Sequence, residues 1–362
     1  MWRAASARRA LAAARGATLA AAGSEPPASA ASAAASMALV GPAGAAHTSA
    51  GRRWVSNAAA LPPSTAVAAN AALTGGGAAP LVSPAVRSSA ATPDAFLSAM
   101  PRGAYSNART VGGAADAAVF ELDRHIERVA ASGALMGLEW VTPDAMQALV
   151  PPACKAALDE VVRANGHLGN TRDAKLTLLA AEDGKLHVHA SLLPPVRSGH
   201  IVCCVAGSPR ENAAAKDSSW AEERQALERS MPPYAEELLL TNESGEVLEG
   251  AGSNFFAVAM DGEVWTADEG VLKGSIRDAV LGVCADEGIA VRLSPPKLQD
   301  AAMGLWEGAL ITSTSRLAMP VDFVELGESF GSKEVALEHG GLAHHLARAV
   351  AARVQNEAVV LR

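Results

Sequence analysis

A lysine and a glutamate are the side chains whose types and spacing best suit shared chemistry in this chain. Lys216 lies in the polar segment AAAKDSSWAEER, and Glu249 ends an apolar run in VLEGAGSNFF. A lysine amine can form a Schiff base with an aldehyde, and a carboxylate can keep the ring nitrogen of a pyridine cofactor protonated. The pair therefore predicts an enzyme that uses pyridoxal phosphate. Taken alone, each residue also fits a solvated side chain.

The residues around Lys216 favour a lysine that is held in place. Ser218 and Ser219 follow it and could cap a helix that begins at Trp220. A lysine held by such a helix and covered by a cofactor would lose hydration. Because desolvation lowers the pKa of an amine, the free base that attacks an aldehyde would be populated.

The residues after Glu249 favour close approach of a flat ligand. Gly250 and Gly252 would let the backbone lie near a ring, and a carboxylate facing a ring N–H would form a charge-assisted hydrogen bond. The segment EGAGSN is not a dinucleotide-binding loop, since the strand-like FFAVAM follows it instead of a helix.

Several downstream residues suit a phosphate group. The turn in KGSIRDAVLG opens a helix, so the amides of Ser275 and Ile276 and the helix dipole offer an anion site. Thr314 adds a hydroxyl at the end of the strand-like ALITSTSR, and Arg128 adds a guanidinium fork on a helix face. Each of these residues alone is a weak signal.

The segment from Tyr105 to Val321 resembles the class IV pyridoxal phosphate-dependent aminotransferases. That family includes branched-chain and D-amino acid aminotransferases and aminodeoxychorismate lyase. The resemblance is carried by ARTV, RHIERVAAS, KDSSW, ELLLTNESGEVLEGAGSNFFAV, GSIR and ITSTSRLAMPV. The combination is specific, whereas any one of these motifs is not.

The resemblance implies a role for each candidate residue. Lys216 would form the internal aldimine and move a proton at the substrate's alpha carbon, and Glu249 would pair with the ring nitrogen. The residues implied to hold the phosphate are Arg128, Ser275, Ile276 and Thr314. The resemblance also implies the α+β fold type IV, with two domains and the cofactor between them, and a homodimer.

Departures from the family pattern bear on the substrate. Branched-chain enzymes usually carry a tyrosine shortly after the lysine, where this chain has Trp220. The usual Gly-Thr-Ala turn, whose amides meet the substrate carboxylate, is Ser-Thr-Ser here and is followed by Arg316. We therefore take Ser315, Arg316 and Trp220 as candidate substrate contacts. His187 and His189 do not match the carboxylate trap of D-amino acid enzymes.

Three hypotheses for function remain open on these residues. The first is a transaminase that moves an amino group between an amino acid and a 2-oxo acid. The second is a lyase that releases p-aminobenzoate and pyruvate from aminodeoxychorismate. The third is a noncatalytic relative that keeps the fold as a binding module. L or D selectivity also stays open.

Charge divides the chain into two unlike parts. Residues 1–93 hold seven arginines and one acid, Glu25, so their net charge is +6 (7 minus 1), and the remainder carries 23 minus 37, or −14. An Arg- and Ser-rich, acid-poor start is typical of a cleavable organelle-targeting presequence. We expect import into a plastid or mitochondrion; a tail with no targeting role is the alternative.

Composition also limits the partners. The acidic remainder has no Lys/Arg stripe, which disfavours a nucleic-acid surface, and no run is apolar enough to cross a bilayer. The spacing of the four cysteines fits no metal site, so we expect buried thiols and no bound metal. The expected partners are small-molecule substrates, namely amino acids and 2-oxo acids.

Periodicity and turn residues predict the organisation of the chain. We expect a disordered Ala/Arg-rich presequence over 1–94, a smaller N-terminal α/β domain over 95–198 and a larger cofactor-binding domain over 199–362. A helical stretch capped by Thr142 should be interrupted at Pro151 and Pro152. The Asp183-Gly184 pair predicts a hairpin between AKLTLLAAE and KLHVHASLL.

Overall fold

The structure is a computed structural model that describes residues 65–73, 81–195, 199–210 and 213–361. All of these belong to one compact unit, Arg52–Arg362.

The helices described are α1 (Pro93–Ala99), α2 (Leu122–Leu135), α3 (Pro143–Asn165), α4 (His167–Thr171), α5 (Ser219–Ser230), α6 (Ser275–Glu287), α7 (Leu298–Ala302) and α8 (Leu342–Glu357). The strands described are β1 (Val67–Ala72), β2 (Leu81–Val82), β3 (Val86–Arg87), β4 (Gly103–Arg109), β5 (Ala118–Phe120), β6 (Ala174–Ala181), β7 (Leu186–Leu192), β8 (Val202–Val205), β9 (Glu237–Thr241), β10 (Val247–Gly250), β11 (Asn254–Ala259), β12 (Val264–Thr266), β13 (Val291–Leu293), β14 (Trp306–Ser313), β15 (Leu317–Pro320), β16 (Phe323–Glu325), β17 (Glu334–Ala336) and β18 (Ala358–Val360).

The N-terminal sheet contains β1 to β4, β6 and β7. Its strands pair antiparallel in the order β2-β1-β7-β6-β4, and β3 also pairs with β1. The predicted hairpin is confirmed, since β6 pairs with β7 through a turn in which Gly184 has a φ of 79°. Helices α2 and α3 cover one face, where Ile126, Leu149 and Leu158 join the buried side chains of the strands. This sheet is the frame for β4, which reaches the candidate site.

Helix α3 corrects the predicted interruption. Thr142 caps it, as predicted, by accepting from Ala145 N at 3.2 Å. The helix nevertheless continues through Pro151 and Pro152 to Asn165. A proline removes one helical hydrogen bond, but α3 buries a long apolar face against the N-terminal sheet. Tertiary packing therefore overrides the local preference of the two prolines.

The C-terminal sheet contains β8 to β17 and is mixed. Its main path runs β13-β12-β11-β10-β9-β8-β16-β17, with β14 paired to β11 and β15. The run NFFAVA of β11 is buried on both faces: Phe255 and Ala257 pack in one apolar cluster, while Phe256 and Val258 pack with α6 and α8 in another. Successive side chains of a strand point to opposite faces, so a strand covered on both sides reads as a continuous apolar run.

Two connections link the regions that carry the sheets. The chain passes from the N-terminal to the C-terminal sheet between Leu192 and Val202. It later returns, because β18 pairs antiparallel with β5 at Ala358 and Phe120. The ends of the segment 199–362 therefore contact the region of the predicted smaller domain.

The prediction that residues 1–94 are all disordered is wrong at its C-terminal end. Its residues 67–72 form β1, which pairs with β7 and buries Val67, Ala69 and Ala71. Small apolar side chains suffice here because main-chain hydrogen bonds to an existing strand add to their burial. Residues 1–64 and 74–80, which hold most of the predicted presequence, lie outside the described residues.

Two further expectations concern the described residues. The four cysteines are free and buried, as predicted. Within the described ranges, no helix is long and apolar enough to cross a membrane.

Candidate active site

A cleft of about 270 Å³ is lined by residues of both sheets. This volume lies near the lower end of the range for ligand pockets, about 300–1,000 Å³. The structure brings together in its wall all nine candidate residues: Lys216, Glu249, Arg128, Ser275, Ile276, Thr314, Ser315, Arg316 and Trp220.

The segment that carries Lys216 forms main-chain hydrogen bonds to β4, the edge strand of the N-terminal sheet. Tyr105 N donates to Lys216 O at 2.9 Å, and Ser218 N donates to Gly103 O at 3.0 Å. The sequence predicted that Ser218 could cap α5, but its side chain makes no capping hydrogen bond. Its hydroxyl accepts from Gly103 N at 3.0 Å. Main-chain pairing with β4 therefore sets the position of the lysine.

The Lys216 amine faces the cleft and is otherwise surrounded by protein. Its Nζ lies 4.6 Å from the centre of the Tyr105 ring. Burial lowers the pKa of Lys216 well below its ordinary value, and the charges of Arg128, Arg210 and other nearby cations lower it further. A lowered pKa raises the fraction of the amine that is unprotonated, and the free amine can act as a nucleophile and as a base.

Glu249 is buried and already has a cationic partner. Arg210 Nε donates to its Oε1 at 2.7 Å, and Leu272 N donates to its Oε2 at 3.2 Å. Burial raises the pKa of Glu249, while Arg210 acts in the opposite direction. Sequence reasoning missed Arg210, because no local pattern in AGSPREN marks it as the partner of a glutamate 39 positions later.

The start of α6 forms an open anion site. Ser275 and Ile276 are buried there, and no side chain caps the helix, so its first N–H groups lack the partners that a cap would supply. Thr312 Oγ1 also lines the cleft and is buried without a hydrogen-bond partner among the described residues. Unpaired donors of this kind suit a phosphate.

Arg128 contributes to the same region of the cleft. It donates to Lys273 O, and burial lowers its pKa to about 10. No carboxylate among the described residues forms an ion pair with it. A partly buried guanidinium without an anion favours a ligand that brings one.

Thr314 is tied to the N-terminal sheet. Its hydroxyl donates to Asn107 O at 3.1 Å. The proton of the hydroxyl is therefore already used, and the group faces the cleft as an acceptor. Because phosphate oxygens need donors, the predicted phosphate contact would have to come from the Thr314 amide.

Two of the candidate substrate contacts, Trp220 and Arg316, already have partners within the protein. Trp220 Nε1 donates to Ala251 O at 3.2 Å, so the indole has no proton left for a cofactor oxygen. Arg316 forms ion pairs with Glu236, at 3.1 Å, and with Glu237. Its charge is thus balanced inside the cleft.

Gly250 has a packing role that differs from the one predicted. A Cβ at this position would lie 2.3 Å from Ser253 Oγ and 2.8 Å from Glu237 Cγ. The absence of a side chain is required by these neighbours, with or without a flat ring. At Gly252 the nearest atoms would be 3.8 Å away, so that position leaves space.

Tyr105 and Lys175 line the cleft and were not predicted. Lys175 forms no ion pair with any described residue, and burial lowers its pKa to about 8. A lysine within the apolar strand AKLTLLAA was a usable signal. Tyr105 offered none, because its position depends on how β4 meets the Lys216 segment.

The residues present fit pyridoxal phosphate. The free helix amides and Arg128 would hold its phosphate, Glu249 would face its ring nitrogen, and the Lys216 amine would meet its aldehyde. The unpaired Thr312 hydroxyl offers a further donor. Arg210 would have to share Glu249 with the ring.

Comparison with known proteins identifies the family of the chain. A family model for amino-transferase class IV matches residues 108–323, more than half of the 362 residues. A protein of Methanocaldococcus jannaschii, provisionally assigned as a branched-chain-amino-acid aminotransferase, is 26% identical over 241 residues, covering 61% of this chain and 78% of that protein.

Solved structures share the fold. The branched-chain aminotransferase of Thermoproteus uzoniensis with norvaline has a TM-score of 0.53 at 20% identity, covering 70% of this chain and 86% of its own. A hypothetical aminotransferase of Mycobacterium tuberculosis in its PLP-bound form has a TM-score of 0.55 at 18% identity, covering 70% and 89%. The predicted α+β fold of type IV is confirmed.

Proposed function

Because the chain belongs to the class IV aminotransferase family, we propose that it is a pyridoxal phosphate-dependent transaminase acting on an amino acid and a 2-oxo acid. The observation that carries the proposal is the Lys216 amine, whose pKa is strongly lowered in a cleft that also holds Glu249 and an open anion site. Pyridoxal phosphate, when bound, supplies an aldehyde that condenses with amines and a ring that accepts electrons.

Each residue then has a physical task. The Lys216 amine would take the proton from the substrate's alpha carbon and return it at the cofactor, which requires a free base at neutral pH. Glu249 would keep a facing N–H protonated, since a buried carboxylate strongly favours a donor partner. The start of α6 and Arg128 would fix the phosphate.

The substrate's carboxylate needs its own receptor. Lys175 supports this role, since it is a cation of the cleft without an ion-pair partner among the described residues. The amide of Ser315 in the turn between β14 and β15 is the second candidate, in keeping with Ser315 as a predicted contact. Arg316 is less suited to direct binding because Glu236 and Glu237 already hold it.

Borohydride reduction followed by peptide mapping tests the role of Lys216. We expect the reduced holoprotein to carry the cofactor on the peptide that contains Lys216, and the Lys216→Ala variant to carry none. The variant should also lose at least about 10²-fold in turnover, because the general base is gone. Label on another peptide, or matching absorbance spectra of the two proteins, would reject the proposal.

Product analysis tests the reaction type. Amino acid and 2-oxo acid pairs should exchange an amino group, and aminodeoxychorismate should release no pyruvate when an oxo acid is absent. Release of p-aminobenzoate and pyruvate from aminodeoxychorismate without an oxo acid acceptor would reject the transaminase proposal for that substrate and favour the lyase.

A further inference from the structure

Arg109 links the N-terminal sheet to a turn that lines the cleft. It ends β4, and its side chain is only 12% exposed. Its Nη1 donates to Thr314 O at 3.4 Å and to Ser315 O at 3.3 Å. Its Nη2 donates to Asp173 Oδ2 at 2.5 Å. One guanidinium therefore holds two consecutive carbonyls and one carboxylate.

The turn that Arg109 holds carries unpaired amides. Residues 314–316 connect β14 to β15, and Thr314 and Ser315 line the cleft. Their N–H groups have no hydrogen-bond partner among the described residues. In a planar trans peptide the C=O and the next N–H point in opposite directions. By holding Thr314 O, Arg109 therefore fixes the direction of the Ser315 N–H.

Asp173, which accepts from Arg109, is itself held by a main-chain hydrogen bond. The second oxygen of Asp173 accepts from Gly113 N at 2.9 Å. Beside it, Thr314 Oγ1 donates to Asn107 O, and Thr177 Oγ1 donates to Asn107 Oδ1 at 2.9 Å. The turn is thus held against β4 by the side chains of Arg109 and Thr314, and Asn107 of β4 is in turn bonded to Thr177 of β6.

We propose that Arg109 is a positioning residue that orients the unpaired amide of Ser315 toward the carboxylate of the substrate. The inference rests on the proposed function, because it assigns the turn to substrate binding. Arg109 acts through the turn and touches no reacting atom. Its contribution should therefore appear in substrate binding more than in cofactor binding.

The geometry requires an arginine at this position. A planar fork can reach two carbonyls and the Asp173 carboxylate at once, whereas a lysine offers one compact ammonium group. Arg109→Lys should keep the charge and lose the simultaneous contacts. It is therefore expected to resemble Arg109→Gln more closely than the wild type.

Steady-state kinetics and hydrogen exchange on the full-length holoenzyme test the proposal. We compare the wild type with Arg109→Lys, Arg109→Gln and Asp173→Asn. The control is Arg172→Gln, since Arg172 donates to Leu193 O and does not line the cleft. We expect the KM for the amino acid to rise on the order of tenfold or more in both Arg109 variants, as for the loss of a charged hydrogen bond. Pyridoxal phosphate affinity should stay within about twofold.

Hydrogen exchange distinguishes positioning from general stability. Peptides covering residues 313–317 should exchange faster in the Arg109 variants, while peptides of α3 stay unchanged. An unchanged KM with unchanged exchange at the turn would overturn the proposal, and so would a uniform rise in exchange across the protein. If the wild type turns over no amino acid, the proposed function fails, but exchange at the turn still decides whether Arg109 orders it.

Discussion

Six cationic side chains line the cleft, and their partners divide them into two groups. The cations with a carboxylate within ion-pair distance are Arg210, Arg224 and Arg316. Within the described part of the chain, Arg128, Lys175 and Lys216 have none. The lowered pKa of Lys216 favours its uncharged form, whereas an unpaired charge on Arg128 or Lys175 favours a ligand that brings negative charge of its own. A phosphate and a substrate carboxylate would supply it.

At the residue scale, Arg210 controls the ionisation of Glu249. Burial raises the pKa of Glu249, and the Arg210 guanidinium opposes that rise. In Arg210→Gln the opposition is lost, so the carboxylate should protonate at a higher pH than in the wild type. Since the proposed function assigns ionised Glu249 to the cofactor ring, the acid limb of the kcat/KM profile should move to higher pH.

Arg210→Lys is the matched control for this effect. It keeps a positive charge beside Glu249, so its acid limb should lie closer to that of the wild type. An acid limb that is unchanged in Arg210→Gln, or one that moves to lower pH, would contradict the assignment of Glu249 as the group that titrates there.

At the element scale, α3 shows how packing and local preference compete. Pro151 and Pro152 lie inside a helix of 23 residues. Pro152 is exposed and cannot donate to the carbonyl four residues earlier, whereas Pro143 stands at the start of the helix, where that N–H has no partner in any case. The same residue type is thus unfavourable at one position of the helix and favourable at the other.

Replacing Pro152 should therefore stabilise the protein. We expect Pro152→Ala to raise the free energy of unfolding by up to about 3 kcal/mol, which urea denaturation would measure. Pro143→Ala, at the start of the same helix, should give no such gain. Equal effects of the two substitutions, or a loss of stability in Pro152→Ala, would show that the interior proline fits α3 without cost.

At the scale of the whole molecule, the cleft depends on contacts between distant parts of the chain. The Lys216 segment pairs with β4, and Arg109 of β4 holds the turn between β14 and β15. The N-terminal sheet that positions β4 begins with β1, which pairs with β7 from Val67 to Ala71. Residues far ahead of the family-like segment therefore support the frame of the site.

Two truncations test the contribution of β1. A chain that begins at Ser88 keeps α1 but lacks β1 and the strands β2 and β3 that pair with it. It leaves the edge of β7 open, so it should unfold at a lower denaturant concentration than a chain that begins at Arg52. Equal unfolding midpoints for the two would show that β1 adds no stability. Soluble yield and circular dichroism would confirm that both chains are folded before the comparison.

The sequence by itself determined the parts of this protein that local patterns encode. Capping and turn residues predicted the helix that Thr142 caps, the hairpin at Asp183-Gly184 and the helix that the GSIR turn opens. The spacing of Lys216, Glu249 and the GSIR turn predicted residues that line one cleft. Only the tertiary structure decided the partners: Arg210 on Glu249, Arg109 on the turn at Thr314, and β1 on β7. Such contacts join residues far apart in the chain, so their geometry follows from how the two sheets meet and leaves no periodic trace in the sequence.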